Sequence, residues 1–184
     1  MISLPQRIAA IHLQPVGDRV ELELLDWLAA VLARVFSVSC HVRREWIDAR
    51  PAYNPVRLQY FSTAILELLA PLSEGEEEIR LLGVTGYDLF VPVLTFVFGE
   101  AQLGGRCGLV SLHRLREEFY GMPPSRELLM DRVAKEAIHE LGHTFGLRHC
   151  PDWNCAMASA HAVERLDLKR AELCADCSRR IGLR

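Results

Sequence analysis

The stretch HELGHTFGLRH occupies residues 139–149 and satisfies H-E-x-x-H-x-x-G-x-x-H at every fixed position. On an α-helix, residues i and i+4 share one face, with Cβ atoms about 5–6 Å apart. His139 and His143 meet that condition, so two imidazoles can reach one zinc ion at about 2.0–2.1 Å. Glu140 follows His139 directly and points beside the metal, where a base acting on water must sit. A helix continued past His143 would carry His149 away along its axis. Gly146 can adopt positive φ as a C-terminal cap, and the bend returns His149 as a third ligand. Three histidines leave the fourth corner of the tetrahedron open, the arrangement of a catalytic rather than a structural zinc. The full pattern should arise by chance in fewer than on the order of one in ten thousand chains of this size. Unrelated histidines on an ordinary surface helix are therefore the weaker reading. His12, His41, His113 and His161 are isolated in sequence and read as core-edge or surface residues.

Working outward, the motif predicts a long helix over about 125–147, with Ser125 as N-cap after Pro123-Pro124. Its apolar stripe is Met130, Val133, Ala134, Ala137, Ile138 and Leu141. Upstream, residues 7–14 read as a short strand ended by Pro15-Val16-Gly17. Asp18 can cap a helix over 18–36 whose stripe is Val20, Leu24, Trp27, Leu28, Val31 and Val35. Residues 37–43 read as a strand, 44–57 as a loop, and 58–70 as a helix burying Leu58, Phe61, Ile65, Leu68 and Leu69. Strands are predicted at 79–84, 89–98 and 107–112, with Gly99, Gly104 and Gly105 marking a bend or hairpin between the last two. Downstream, 158–184 reads as another helix carrying a CxxC near its end. The order fits an α+β (mixed α/β) fold, a mixed sheet with helices packed on it.

Six cysteines need a reason. Cys40 and Cys107 stand alone in apolar surroundings and read as small buried hydrophobes. Cys150, Cys155, Cys174 and Cys177 cluster as C-x4-C and C-x-x-C, a spacing that can give four thiolates to one tetrahedral zinc. Such a site is closed and its role structural. A pair of disulfides, or unpaired buried thiols, is the alternative.

These residues together carry a family resemblance. HELGHTFGLRHCPDWNCAM followed by CADC resembles the archaemetzincins of the metzincin clan, whose signature joins the histidine motif directly to a four-cysteine site through a methionine. The likeness covers every ligand position of both sites, while the spacer between Met157 and Cys174 is slightly shorter than the family pattern. YNPVRLQYFST at 53–63, DLFVPVLTFVF at 88–98 and residues 105–115 also look like family segments. The resemblance implies a metzincin-like twisted mixed sheet with packed helices, a long active-site helix and a small zinc-stapled C-terminal part. It implies two Zn2+, one catalytic and one structural, with Met157 as a hydrophobic base beneath the histidines. It also implies an extended peptide laid along an edge strand somewhere within 97–112.

The expected organisation is a single catalytic domain over 1–184, divided into 1–147 with the sheet and active-site helix and 148–184 with the cysteines. The expected activity is that of a zinc metallopeptidase in which Glu140 accepts a proton from the attacking water and passes it to the leaving amine. The alternative is a metzincin-fold zinc protein with little general protease activity that binds or cuts one narrow peptide or protein ligand. A zinc-finger-like interaction module is weaker still, because it leaves the histidines unexplained. The expected partner is a peptide or protein substrate. A net charge of −3 argues against nucleic acid or an anionic membrane surface. The start MISLPQRIAAIHLQPVGD lacks the pattern of a secretory signal, and no run approaches the roughly 18 apolar residues of a membrane helix. The chain thus reads as soluble, cytoplasmic and monomeric.

Overall fold

The computed structural model describes residues 8–183. Its elements run β1 (Ala10–Val16), α1 (Leu22–Phe36), β2 (Ser39–Val42), β3 (Tyr53–Asn54), β4 (Gln59–Phe61), α2 (Ser62–Leu69), β5 (Ile79–Thr85), β6 (Leu89–Phe90), β7 (Gly99–Ala101), β8 (Cys107–Ser111), α3 (Arg126–Thr144), α4 (Val163–Asp167) and α5 (Ala175–Arg180), with short 3-10 turns between some of them. A five-stranded sheet has the order β2-β1-β5-β8-β7, and a smaller one the order β3-β4-β6. The first four strands of the large sheet are mutually parallel, and β7 closes one edge antiparallel to β8.

Both faces of the large sheet are covered, which is why its central strands read as continuous apolar runs. On one face Ile11, Leu13, Leu82, Val84 and Val110 join α1 and α3 in the main core. On the other, Leu81, Cys107 and Leu109 pack with Ile65, Leu66 and Leu69 of α2. The alternation follows from the two-residue period of a strand. A Cβ at Gly83 would stand 2.7 Å from a Leu69 methyl, so this glycine lets α2 seat close to β5. At Gly108 a Cβ would lie 3.4 Å from Glu140 Cβ, ordinary contact distance, so α3 lies directly on β8 there.

Several sequence expectations are corrected. The first strand extends through Pro15 to Val16, and Arg7 lies outside the described residues. Leu13 accepts from Arg43 N and Pro15 from Ile47 N, at 2.9 and 3.1 Å. Pro15 thus faces the side where β2 has ended, and its missing N–H breaks no ladder bond. Asp18 does not cap α1: the N-cap is Glu21, and Asp18 instead accepts from the Tyr87 hydroxyl at 2.9 Å. The helix read over 58–70 begins only at Ser62. Leu58 has φ 55, which no helix continues, so the buried face is Ser62, Ile65, Leu66 and Leu69 rather than Leu58, Phe61 and Leu68.

The stretch 89–98 is strand only at Leu89–Phe90. Pro92 lacks a ladder donor, and the chain turns from Leu94 N to the Val91 carbonyl at 3.0 Å. The single helix read over 158–184 is replaced, among the described residues, by two short ones. The chain between them pairs with the segment before it, Arg170 N to Asn154 O at 2.8 Å and Ala156 N to Glu172 O at 2.9 Å. The Arg170 N–H and the Glu172 carbonyl, so engaged, do not build a helix ladder. No helix among the described residues is long and apolar enough to cross a membrane.

Candidate metal centre

The long helix α3 starts at Ser125, whose hydroxyl accepts from Leu128 N at 3.3 Å. It ends in a glycine cap, with Gly146 at φ 85. Leu147 N bonds the Gly142 carbonyl at 3.0 Å and Gly146 N the His143 carbonyl at 2.9 Å, the paired bonds of a Schellman motif. The predicted stop at Gly146 is therefore where the chain leaves the helix.

The bend brings His149 back. Each of His139, His143 and His149 offers a ring nitrogen, and these atoms all lie within 4.8 Å of one another. His139 Nε2 and His143 Nε2 are 3.1 Å apart. Two backbone carbonyls aim the rings: Ala156 O lies 2.8 Å from His139 Nδ1 and Leu147 O 2.8 Å from His143 Nδ1. With Nδ1–H donating, the Nε2 lone pairs face the common point, the tautomer a metal requires. Burial pushes His139 down to about 3, so the ring stays neutral and its lone pair available. The residues fit a zinc ion.

Glu140 is buried beside this point. A Cβ on Gly99 of the edge strand β7 would stand 2.6 Å from Glu140 Oε1, so only glycine there leaves room for the carboxylate. Burial drives its carboxyl well above the usual carboxylate range, and the nearby Glu136 and Glu100 add to that. A cation beside it would act in the opposite direction. Imidazoles, Glu140 and β7 together line a cleft of about 840 Å³ whose apolar wall includes Phe96, Val97, Phe98 and Leu103.

Met157 is fully buried below the helix. Its sulfur sits where a Cβ on Gly142 would be. Gly142→Ala is therefore expected to lower the free energy of unfolding by about 1–3 kcal/mol through overpacking. Urea denaturation reads this directly, and an unchanged midpoint would mean that Met157 swings aside without loss.

The second cluster is also assembled. The sulfurs of Cys150, Cys155, Cys174 and Cys177 lie within 4.8 Å of one another. All four thiols are free, and Cys150 Sγ is 3.8 Å from Cys174 Sγ, well beyond a disulfide bond of about 2.05 Å. Cys174 is the N-cap of α5, accepting from Cys177 N, and Cys155 Sγ accepts from Cys174 N at 3.3 Å. Adjacent residues His149 and Cys150 thus turn to different clusters.

Sequence reasoning missed several neighbours. His161, read as isolated, lines the cleft with Ser159, its Nε2 3.2 Å from the Ser159 hydroxyl. Glu136 and Lys169 are buried and paired at 3.6 Å. Burial pushes the Lys169 ammonium down and the Glu136 carboxyl up. Arg132, at 3% side-chain exposure, holds Asp167 and Glu117 at 2.7 Å each. The only trace of these in the sequence is three charged residues, Arg132, Lys135 and Glu136, interleaved with the apolar stripe of α3.

A histidine triad at the foot of a glycine-capped helix, with a carboxylate between it and a sheet edge, marks the zinc metallopeptidases. Within that class the chain belongs to peptidase family M54, whose family model matches residues 18–182. It is 42% identical to the archaemetzincin of Methanocaldococcus jannaschii over 174 residues, covering 95% of this chain and 93% of that one. A zinc-dependent peptidase from Methanocorpusculum labreanum has a crystal structure that superposes with a TM-score of 0.85 at 30% identity, over 94% of this chain and 100% of that one. The archaemetzincin of Archaeoglobus fulgidus gives a TM-score of 0.80 at 36% identity, over 94% and 99%. These likenesses bear out the mixed α/β fold.

Proposed function

We propose that the chain hydrolyses peptide bonds, with His139, His143 and His149 holding a catalytic zinc and Glu140 as general base. The observation that carries this reading is the meeting of three imidazoles at the floor of a cleft whose other wall is an edge strand with Glu140 pressed against it. Zinc bound there supplies a Lewis acid that lowers the pKa of water to about 7 and polarises a carbonyl oxygen. The protein does the rest. β7 offers its free edge to an extended peptide, which adds as a further strand. Glu140 takes a proton from the attacking water and returns it to the leaving amine. The apolar cleft wall receives a side chain of the substrate and excludes solvent.

A second zinc is assigned to Cys150, Cys155, Cys174 and Cys177, with no open position and a structural role. Residues 148–184 then form a small stapled unit below the cleft, and Gly146 and Met157 are supports rather than ligands.

The test is cleavage of an unbiased peptide library by the zinc-loaded chain, abolished by a chelator and restored by zinc. A chain that holds zinc but cuts nothing would leave only the binding role. His139→Ala is expected to lower the bound zinc from two equivalents to one while circular dichroism stays unchanged. Retention of both equivalents, by atomic emission, would remove His139 from the ligand set.

A further inference from the structure

The deepest charged group contributed by the C-terminal segment is Lys169, 4% exposed. Its ammonium has two partners. One is Glu136, at 3.6 Å, one helical turn before Glu140. The other is the Ala156 carbonyl, at 3.3 Å, the same oxygen that meets His139 Nδ1 at 2.8 Å. Ala156 is also held on the preceding peptide, its own N–H donating to the Glu172 carbonyl at 2.9 Å. The residue whose carbonyl aims a histidine is thus held through both of its flanking peptides by the segment 169–172. Neighbouring contacts fix that segment against α3: Arg132 grips the Asp167 carboxylate with two bonds of 2.7 Å, and Lys135 donates to the Asp167 carbonyl at 3.2 Å.

A buried lysine costs desolvation that a single carboxylate partner at 3.6 Å repays poorly. A leucine at 169 would fill the same space without that cost. The ammonium is accounted for by what it does to Ala156. A carbonyl accepting from two donors is fixed in direction, and a fixed carbonyl fixes the plane and tautomer of the imidazole bonded to it. The geometry points to Lys169, counterbalanced by Glu136, as a positioning residue for the first metal ligand, acting through the Ala156 carbonyl. This rests on the proposal that His139 is a ligand.

The experiment uses the full chain and zinc alone. Zinc affinity at each site is measured by chelator competition, and cadmium NMR separates imidazole-bound from thiolate-bound ions. Lys169→Met keeps the stem and removes the donor. It is expected to weaken the histidine site by about 10–100-fold and leave the cysteine site unchanged. Because Lys169→Met alone leaves Glu136 buried without its partner, Lys169→Met with Glu136→Gln is the companion. That pair should recover folding stability but keep the loss at the histidine site. Unchanged histidine-site affinity in both variants, recovery of affinity in the pair, or equal loss at both sites would each overturn the assignment. Failure of the underlying reading looks different: the wild-type chain would then show no imidazole-bound ion that His139→Ala abolishes.

Discussion

Glu140→Gln is expected to lower kcat/KM by about 10²–10⁴-fold while zinc content and unfolding midpoint stay as in the unaltered chain. The amide matches the carboxylate in size, so it fits the space that Gly99 leaves, but it cannot take a proton from water. The loss should fall on kcat, because an interaction made only in the transition state is being removed. Glu136 is no substitute base: it lies one turn away and faces Lys169. Steady-state kinetics on a peptide cut by the wild-type protein, with zinc measured on the same sample, give the answer. Turnover at the wild-type rate would end the general-base assignment.

The other large effect is expected from Cys174→Ala. The apolar cluster around the cysteines is small, with Leu147, Cys155, Met157 and Cys177 buried and Leu173 and Ile181 partly so. So little buried surface holds a fold poorly, and an ion held by four thiolates contributes directly to folding. An ion at a thousandfold excess over its Kd stabilises by about 4 kcal/mol, which corresponds to roughly 8–16 °C in Tm for a chain of this size. Cys174→Ala should lose that amount, together with one equivalent of zinc. His149 adjoins Cys150, and Cys150 N bonds the Met157 carbonyl at 2.9 Å, so the histidine site should weaken as well. A thermal scan with and without chelator checks this. If the variant melts where the unaltered chain does, the four cysteines hold no structural ion.

The histidine site was legible because it is local. Two of the proposed ligands and the proposed base lie within five residues of one helix, and the third histidine returns through a glycine, the residue that takes a positive φ without strain. The strands at 79–85 and 107–111 were legible because they are buried on both faces. What stayed hidden depended on partners distant in sequence. Nothing local in DLFVPVLTFVF says that the ladder stops at Phe90, although Pro92 hints at it. Leu58 has the right composition for a helix and the wrong backbone, set by its place before β4. Of the buried charges of α3 only Lys135 has a counter-group on the same helix, Asp131; Arg132 and Glu136 were unreadable as such, because their partners Glu117, Asp167 and Lys169 come from elsewhere in the chain. His161 reaches the cleft only because the chain after Met157 folds back under it.

The turn of the β7–β8 hairpin hangs from the foot of α3: Gly104 N donates to the His143 carbonyl at 2.8 Å. That bond joins the rim of the groove to a residue whose ring forms its floor. The distance between the two is then set by a main-chain tether rather than by the guest, much as a jig holds a workpiece before the tool descends. Under the proposed docking of an extended peptide on β7, that tether removes one element of ordering from the binding step.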